Sequence, residues 1–264
     1  MALYNRLLIN GFKSKIVFRA DYLIGLMFSF FYIALQIFIW RGLYGDSGEA
    51  RMGVVLNDMV AYTILSNITR MLIKSEVMYS INASVQDGSI ASRLLLPLGF
   101  RTYYFLSNLS ENLFWSIYQS LPPVLVAIVF FGLRFSLTAQ NLGFYCVSIM
   151  LAFVIHFLYS FIMGMSVLWL KNSFFLENLT SVFTKLLSGA LVPLWFFPSW
   201  LGDASHYLPF RYIVFEPISI LLGKTPMTQI PSVLGMQLLW VAILFGLMTL
   251  IWELGKRHMM IQGG

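Results

Sequence analysis

Histidine and cysteine, the side chains that most often build metal sites and nucleophilic centres, are scarce in this chain of 264 residues. His156, His206 and His258 are too scattered to suggest a metal site. Cys146 is the single cysteine, so neither an intrachain disulfide nor a thiolate cluster can form. The sequence contains no glycine-rich phosphate loop, no H-E-x-x-H and no G-x-S-x-G motif. It therefore predicts no catalytic residue, no metal site and no cofactor bound by this chain.

Polar side chains recur inside two long apolar stretches. The first stretch contains Asn57, Asp58, Thr63, Ser66, Asn67, Thr69 and Arg70, and the second has Asn108, Asn112, Trp115 and Gln119 at helical spacing beside Glu111. Polar groups at such depth face protein or water rather than lipid. They either line a translocation path or join helices by hydrogen bonds, and the spacing favours neither. The pathway-lining candidates are Asn67, Asn108, Asn112, Trp115 and Gln119.

A turn signal follows the first of these stretches, within residues 83–97. Asp87-Gly88 is typical of a turn, Ser89 can cap a short helix, and Pro97 ends it. In that helix Ile90, Leu94 and Leu95 share an apolar side, whereas Arg93 is polar. The pattern predicts a short amphipathic helix on which a partner docks, and an ordinary surface loop fits the same residues.

Residues 188–224 combine prolines with aromatic side chains. Pro193, Pro198, Pro209 and Pro217 cannot continue a straight helix, yet the segment is too apolar for a plain exposed loop. Broken helices that dip into the outer leaflet satisfy both constraints, with Trp and Tyr at headgroup depth. A compact external loop is the alternative.

The composition indicates that lipid surrounds most of the chain. Apolar residues make up 59% of the chain and charged residues only 11%, against about a quarter charged in soluble domains. The net charge of +6 is spread thinly between apolar runs, which argues against nucleic-acid binding. We therefore predict an all-α membrane protein with a single transmembrane domain over residues 1–264.

Six spans are predicted, each near the roughly 20 residues that a bilayer requires. They are about 22–40, 57–78, 103–132, 142–170, 174–200 and 231–253. Before them, leucines and phenylalanines at three- and four-residue steps predict an interfacial helix over 2–19, with a frayed basic tail as the alternative. If the N-terminus is cytoplasmic, ten cations fall in cytoplasmic connections and five in external ones, with Arg70 and Lys185 left out because they lie inside spans. This excess predicts that both termini are cytoplasmic.

These features together resemble the permease subunits of type-2 ATP-binding-cassette (ABC) exporters. The resemblance covers the whole chain and is carried most by Asp87-Gly88-Ser89-Ile90, Arg93-Leu94-Leu95 and Pro97, and by Ser188-Gly189, Pro193, Pro198 and Pro209. Residues 1–45, with Trp40-Arg41-Gly42-Leu43-Tyr44 after the first span, look like the bacterial branch of paired permeases. One departure is Leu208-Pro209-Phe210, which stands where many members have Asn-Pro-Leu.

The resemblance implies a complex of two permeases, sibling or identical, with two copies of a separate ATPase subunit that binds ATP and magnesium. It assigns ATPase coupling to Asp87, Gly88, Ser89, Ile90, Arg93 and Leu94. It makes residues 188–224 an external re-entrant segment, with Gly189, Pro193, Pro198, Pro209, Tyr212 and Glu216 as gate candidates. It further implies a bacterial cytoplasmic (inner) membrane. The spans suit an amphipathic drug, peptide or lipid as substrate.

Two other classes stay open on the sequence. A secondary transporter or channel would need essential charges in mid-span, and Glu111, Glu177 and Lys185 are its candidates. A membrane-embedded enzyme or assembly factor would need a clustered acid, base or metal set, and the sequence shows none.

Overall fold

The computed structural model describes residues 19–45, 54–115, 138–170 and 173–262, together with Pro122. Ten α-helices form within these ranges: α1 (Arg19–Tyr44), α2 (Leu56–Leu72), α3 (Val77–Gln86), α4 (Ile90–Leu94), α5 (Phe100–Trp115), α6 (Ala139–Ser166), α7 (Ser173–Leu187), α8 (Ser199–Ser205), α9 (Phe215–Leu221) and α10 (Ile230–Gln262). Two 3₁₀ turns, Leu194–Phe196 and Pro209–Tyr212, flank α8. The described chain is thus all-helical, as its composition predicts.

Three helices of the described ranges are long and apolar enough to cross a bilayer. They are α1 over Ile24–Tyr44, α6 over its whole length and α10 over Ile230–Arg257, with mean hydropathies of 1.6, 2.2 and 2.1. They coincide with the first, fourth and sixth predicted spans. Helix α10 continues well past the predicted end at residue 253.

The predicted second span, 57–78, is not one continuous helix. Helix α2 ends at Leu72, residues 73–76 are not helical, and α3 begins at Val77. The 17 residues of α2 give a helix only about 25 Å long, somewhat less than the roughly 30 Å thickness of the hydrocarbon core. The boundary is therefore corrected, and the residues after the bend belong to a separate helix.

The predicted fifth and third spans and the predicted interfacial helix also differ from the structure or lie partly outside the described residues. The fifth span, predicted over 174–200, is corrected because α7 ends at Leu187 after 15 residues. The third, predicted over 103–132, begins earlier as α5, and beyond Trp115 only Pro122 is described. Residues 2–18 of the predicted interfacial helix lie outside the described residues. The count of six spans stays a prediction.

Side chains from two other helices hold the bend after α2. The last carbonyls of a helix have no partner inside it and need one elsewhere. The Asn112 amide of α5 donates to the Leu72 carbonyl at 3.2 Å. The Nδ1 of His156 on α6 donates to the Ile73 carbonyl at 2.7 Å. These bonds give the Leu72 and Ile73 carbonyls partners where the chain leaves the helix inside the bundle.

Helix α6 lies at the centre of the main hydrophobic core. Its Ala152, Ile155, Phe161 and Met165 are fully buried, and α3, α9 and α10 pack around it. Gly164 allows α3 to pack closely on α6, because a Cβ there would lie 3.0 Å from the Met78 Cα on α3. The outer faces of α1 and α10 stay largely exposed and apolar, as lipid contact requires.

Candidate functional site

A cleft with both polar and apolar lining residues opens between α1, α2, α3 and α7, with α6 behind it. Its volume is about 570 Å³, within the range that accommodates a drug-sized molecule. Phe28 and Tyr32 of α1, Asn67 and Arg70 of α2, and Lys185 of α7 lie on its wall. The non-helical residues 73–76 between α2 and α3 all line this cavity.

Four charged side chains line the cleft. Lys74 and Glu76 pair with each other at 2.5 Å, and each side chain is about half exposed at 49%. Arg70 lies 5.8 Å from the centre of the Tyr32 ring, in a cation–π contact. Neither Arg70 nor Lys185 forms an ion pair with a carboxylate in the part of the chain that the structure describes. The cleft therefore carries an excess of positive charge.

The predicted pathway residues separate into different places. Asn67 lies on the cleft wall. Asn112 makes the helix-joining bond to Leu72, and Asn108 is buried on the same helix, away from the cleft lining. The side chain of Trp115 and all of Gln119 lie outside the described residues. Their pathway role stays a prediction.

Arg70 and Lys185 were both predicted to lie inside spans, and Lys185 was a candidate charge only for a secondary transporter or channel. Both line the cleft. The signal that could have identified them is the cost of a charge at membrane depth, which makes each such residue a functional candidate by default. Hydropathy alone could not show that two residues 115 positions apart face one cavity.

A tight turn joins α3 to α4. Gly88 has a positive φ of 74°, which glycine adopts without strain. The Ser89 backbone N–H donates to Asp87 Oδ1 at 2.8 Å. The Ser89 hydroxyl and this N–H, both close to the carboxylate, lower the pKa of Asp87 below its ordinary value. Ser89 precedes α4 but makes no side-chain capping bond, contrary to its predicted role, so Asp87 orders the turn instead.

Arg93 folds back onto the bundle instead of pointing away from it. Its Nη1 donates to the Tyr104 hydroxyl at 2.6 Å. Ser84 Oγ donates to the Ile81 carbonyl at 2.7 Å and lies 3.0 Å from the Tyr104 hydroxyl. Because the single Ser84 proton is already used, the Tyr104 hydroxyl donates to Ser84 Oγ. The chain of bonds therefore fixes α4 against α3 and α5.

Leucines after this anchor are exposed. Leu95 is 86% exposed, and Leu94 and Leu96 are exposed beside it. Ile90 is partly buried and packs against the main core, so it does not share the apolar side predicted for it with Leu94 and Leu95. Three consecutive exposed leucines on a rigidly held turn form an apolar surface of the kind that partners cover. We call Leu94–Leu96 the leucine surface.

Gly189 begins the irregular segment after α7, and only glycine fits there. Its φ is +76°, and a Cβ would lie 2.9 Å from the Tyr62 hydroxyl and 3.2 Å from the Phe215 Cβ. Tyr62 donates to the Gly189 carbonyl at 2.8 Å, and Ser66 donates to the Ala190 carbonyl at 3.2 Å. The segment is thereby tied to α2.

A buried ion pair lies further along the segment. Arg211 Nε donates to Glu216 Oε1 at 2.6 Å, with side-chain exposures of 12% and 5%. Arg211 also donates to Ser205 Oγ at 3.0 Å, and Tyr212 donates to the His206 carbonyl at 2.9 Å. Partial burial and the positive charge of Arg211 lower the pKa of the His206 imidazole. These bonds hold α8, the second 3₁₀ turn and α9 as one unit.

The predicted prolines lie at the starts of short helices. Pro193 and Pro198 precede the first 3₁₀ turn and α8, and Pro209 is the first residue of the second turn. At these positions the missing N–H costs nothing and the fixed φ favours a new helix. The segment is broken as predicted, and its buried α9 packs on α2 and α6. Its gating role stays a prediction.

The long apolar helices and the sparse charges define a multi-pass membrane protein. A family model described as "ABC-2 family transporter protein" matches residues 30–263, nearly the whole chain. The chain therefore belongs to the ABC-2 transporter family. It is a membrane component of a transporter, and membership implies association with an ABC ATPase. No curated protein matches the chain.

Proposed function

We propose that this chain is the transmembrane subunit of an ATP-driven ABC exporter and lines its translocation pathway. The family match carries this proposal, because ABC-2 permeases work with an ATPase and this sequence has no phosphate loop of its own. The cleft is its candidate substrate cavity. The substrate class is an amphipathic drug, peptide or lipid.

The leucine surface is the proposed ATPase contact. Its three leucines present apolar area, and the Arg93–Tyr104 bond keeps them fixed relative to α3 and α5. Because the leucine surface is held rigidly, a displacement of the ATPase would also displace α3 and α5, whereas a flexible loop would not transmit it. Movement of the ATPase pair on ATP binding is thereby passed through residues 83–97 to the helices around the cleft.

The working complex contains two ATPase subunits, which bind ATP and magnesium, and a second permease that is a sibling or an identical copy. It resides in a bacterial cytoplasmic membrane with both termini in the cytoplasm. Residues 188–224 form the external gate. The bonds of Arg211 to Ser205 and Glu216 support a gate that moves as one body.

The first test is purification of the tagged chain in mild detergent, followed by identification of every co-purifying protein. A stoichiometric ATPase is expected, and a second permease beside it would establish a heterodimeric pair. An oligomer that lacks any ATPase under repeated gentle extraction would contradict the proposal and favour a secondary transporter or channel.

The second test places a charge on the leucine surface. Leu95→Asp should weaken ATPase association at least tenfold, because an apolar contact is replaced by a desolvated carboxylate. Tyr207→Asp is the matched control, since Tyr207 is similarly exposed at 77% but lies in the segment that includes α8. Equal loss in both variants, or in neither, would contradict the assignment of this surface. Ile90→Asp is unsuitable because Ile90 packs on the core.

A further inference from the structure

We propose that the cleft binds an acidic amphiphile, with Arg70 and Lys185 holding a phosphate or carboxylate headgroup and the apolar wall holding its chain. That this molecule is transported cargo rests on the function proposed above, whereas its binding does not.

The net positive charge of the cleft lining indicates that the ligand is an anion. Among the described residues that line it, Glu76 is the single carboxylate, and Lys74 neutralises it at 2.5 Å. Glu177 lies near the cleft but accepts a hydrogen bond from Asn82 and does not line the cavity. Arg70 and Lys185 are left with no acidic partner there, so the lining carries two uncompensated positive charges.

These charges are costly unless something compensates them. A cation that enters a bilayer loses hydration, and Arg70 and Lys185 lie in the last turns of α2 and α7 without a carboxylate partner among the described residues. A contact with an aromatic ring offsets only part of that loss. Arg70 has such a contact with Tyr32. An anionic headgroup would supply charge-assisted hydrogen bonds, and a guanidinium binds phosphate and carboxylate in a two-point geometry.

The rest of the wall suits an apolar chain. Phe28, Met71, Met78, Ile213 and Val214 contribute apolar surface to the same cavity. A cavity of about 570 Å³ exceeds what a headgroup alone needs. An amphiphile places its charge and its chain on these two kinds of surface at once.

A hydroxyl in the wall adds a further donor. Ser29 is 6% exposed, and its Oγ makes no hydrogen bond with any residue that the structure describes. Buried hydroxyls normally have a partner. A change of Ser29 rotamer would let it donate to a headgroup held by Arg70.

The test measures binding to the full-length chain in a maltoside detergent. The probes are dodecyl phosphate and dodecyltrimethylammonium, which share a chain and differ in charge. Dodecyl phosphate should raise the thermal unfolding midpoint of the parent chain. The dodecyl phosphate concentration that gives half of the maximal rise should increase about tenfold in Arg70→Gln or Lys185→Gln. Arg70→Lys, which keeps the charge but loses the two-point geometry, should bind dodecyl phosphate more weakly than the parent and more tightly than Arg70→Gln.

The matched control is the double variant Glu253→Gln/Lys256→Gln, at an exposed ion pair on α10 that does not line the cleft. It removes two opposite charges without changing the net charge of the chain, so dodecyl phosphate should bind within about twofold of the parent chain. Equal binding by the parent, Arg70→Gln and Lys185→Gln would overturn the proposal. Preference for the trimethylammonium probe would overturn it too.

Two further measurements separate the possible sources of the ligand. An acidic phospholipid that co-purifies with the parent chain, but not with the Arg70→Gln and Lys185→Gln variants, identifies a lipid of the bilayer. Stimulation of the partner ATPase by dodecyl phosphate identifies a transported acid. Probe binding without any associated ATPase would contradict the proposed exporter and leave the site intact, whereas an associated ATPase without probe binding would contradict only the site.

Discussion

Arg93 Nη1 donates to the Tyr104 hydroxyl at 2.6 Å, and this bond fixes the short helix α4 to α5. The guanidinium also lies 5.5 Å from the Tyr104 ring and 5.9 Å from the Tyr103 ring. The same Tyr104 hydroxyl lies 3.0 Å from Ser84 Oγ on α3. One tyrosine thus connects the turn that carries the leucine surface to both helices beneath it.

Tyr104→Phe should loosen α4 while leaving the ring packing intact. A hydrogen bond to a charged group contributes about 1.5–3 kcal/mol, and Ser84 would lose its donor as well. We expect backbone amides of residues 87–94 to exchange hydrogen at least tenfold faster, and transport per ATP hydrolysed to fall. Tyr103→Phe is the control, because its ring contact with Arg93 persists. Similar exchange rates in the two variants would show that the hydroxyl does not anchor the turn.

Gly189→Ala should destabilise the protein strongly. The left-handed conformation costs a non-glycine residue about 1–2 kcal/mol, and the added methyl would meet the Tyr62 hydroxyl at 2.9 Å. A lower unfolding midpoint is expected, measured by intrinsic fluorescence on heating. Gly202→Ala, in the same segment, has open space around its Cβ and should unfold within about 1 °C of the parent. Equal midpoints for the two variants would contradict this role of Gly189.

Glu216→Gln should cost far more stability than Glu76→Gln. Removing one member of a buried pair leaves Arg211 uncompensated, at about 3–5 kcal/mol. The Lys74–Glu76 pair is half exposed, where such pairs contribute at most about 1 kcal/mol. Unfolding midpoints compared at one pH test the difference. If the two substitutions had equal effects, the Arg211–Glu216 pair would not stabilise the segment.

The turn at Asp87 should persist under acid until its carboxylate protonates. Its pKa is lowered in the folded chain, so the contribution of the carboxylate is present above the ordinary pKa of about 3.9 and is lost as pH falls through the lowered value. A spin label on Leu95→Cys, in a Cys146→Ser background, should keep the same mobility from pH 8 to 5. Adding Asp87→Ala should mobilise the label throughout, whereas Asp87→Asn keeps an acceptor oxygen and should not. Equal mobility with Ala and Asn would show that Asp87 does not order the turn.

Local sequence was sufficient to predict the long helices and the breaks between the short ones. Apolar runs of more than 20 residues predict α1, α6 and α10 because each residue must be apolar wherever lipid surrounds the helix. Pro193, Pro198 and Pro209 predict breaks because their ring geometry acts on the adjacent backbone alone. These features depend only on residues that are adjacent in the chain, so they can be predicted from the sequence.

Tertiary structure decided where the polar groups of those helices end up. Nothing local marks the end of α2 at Leu72, since the Leu72 and Ile73 carbonyls accept hydrogen bonds from Asn112 and His156 on distant helices. Arg70 and Lys185 line one cleft although they lie on different helices, and Arg93 turns inward because Tyr104 offers it an acceptor. The sequence alone determined an all-helical membrane protein of a transporter type. Which charges share a cavity was decided by packing, since that depends on contacts between residues far apart in the chain.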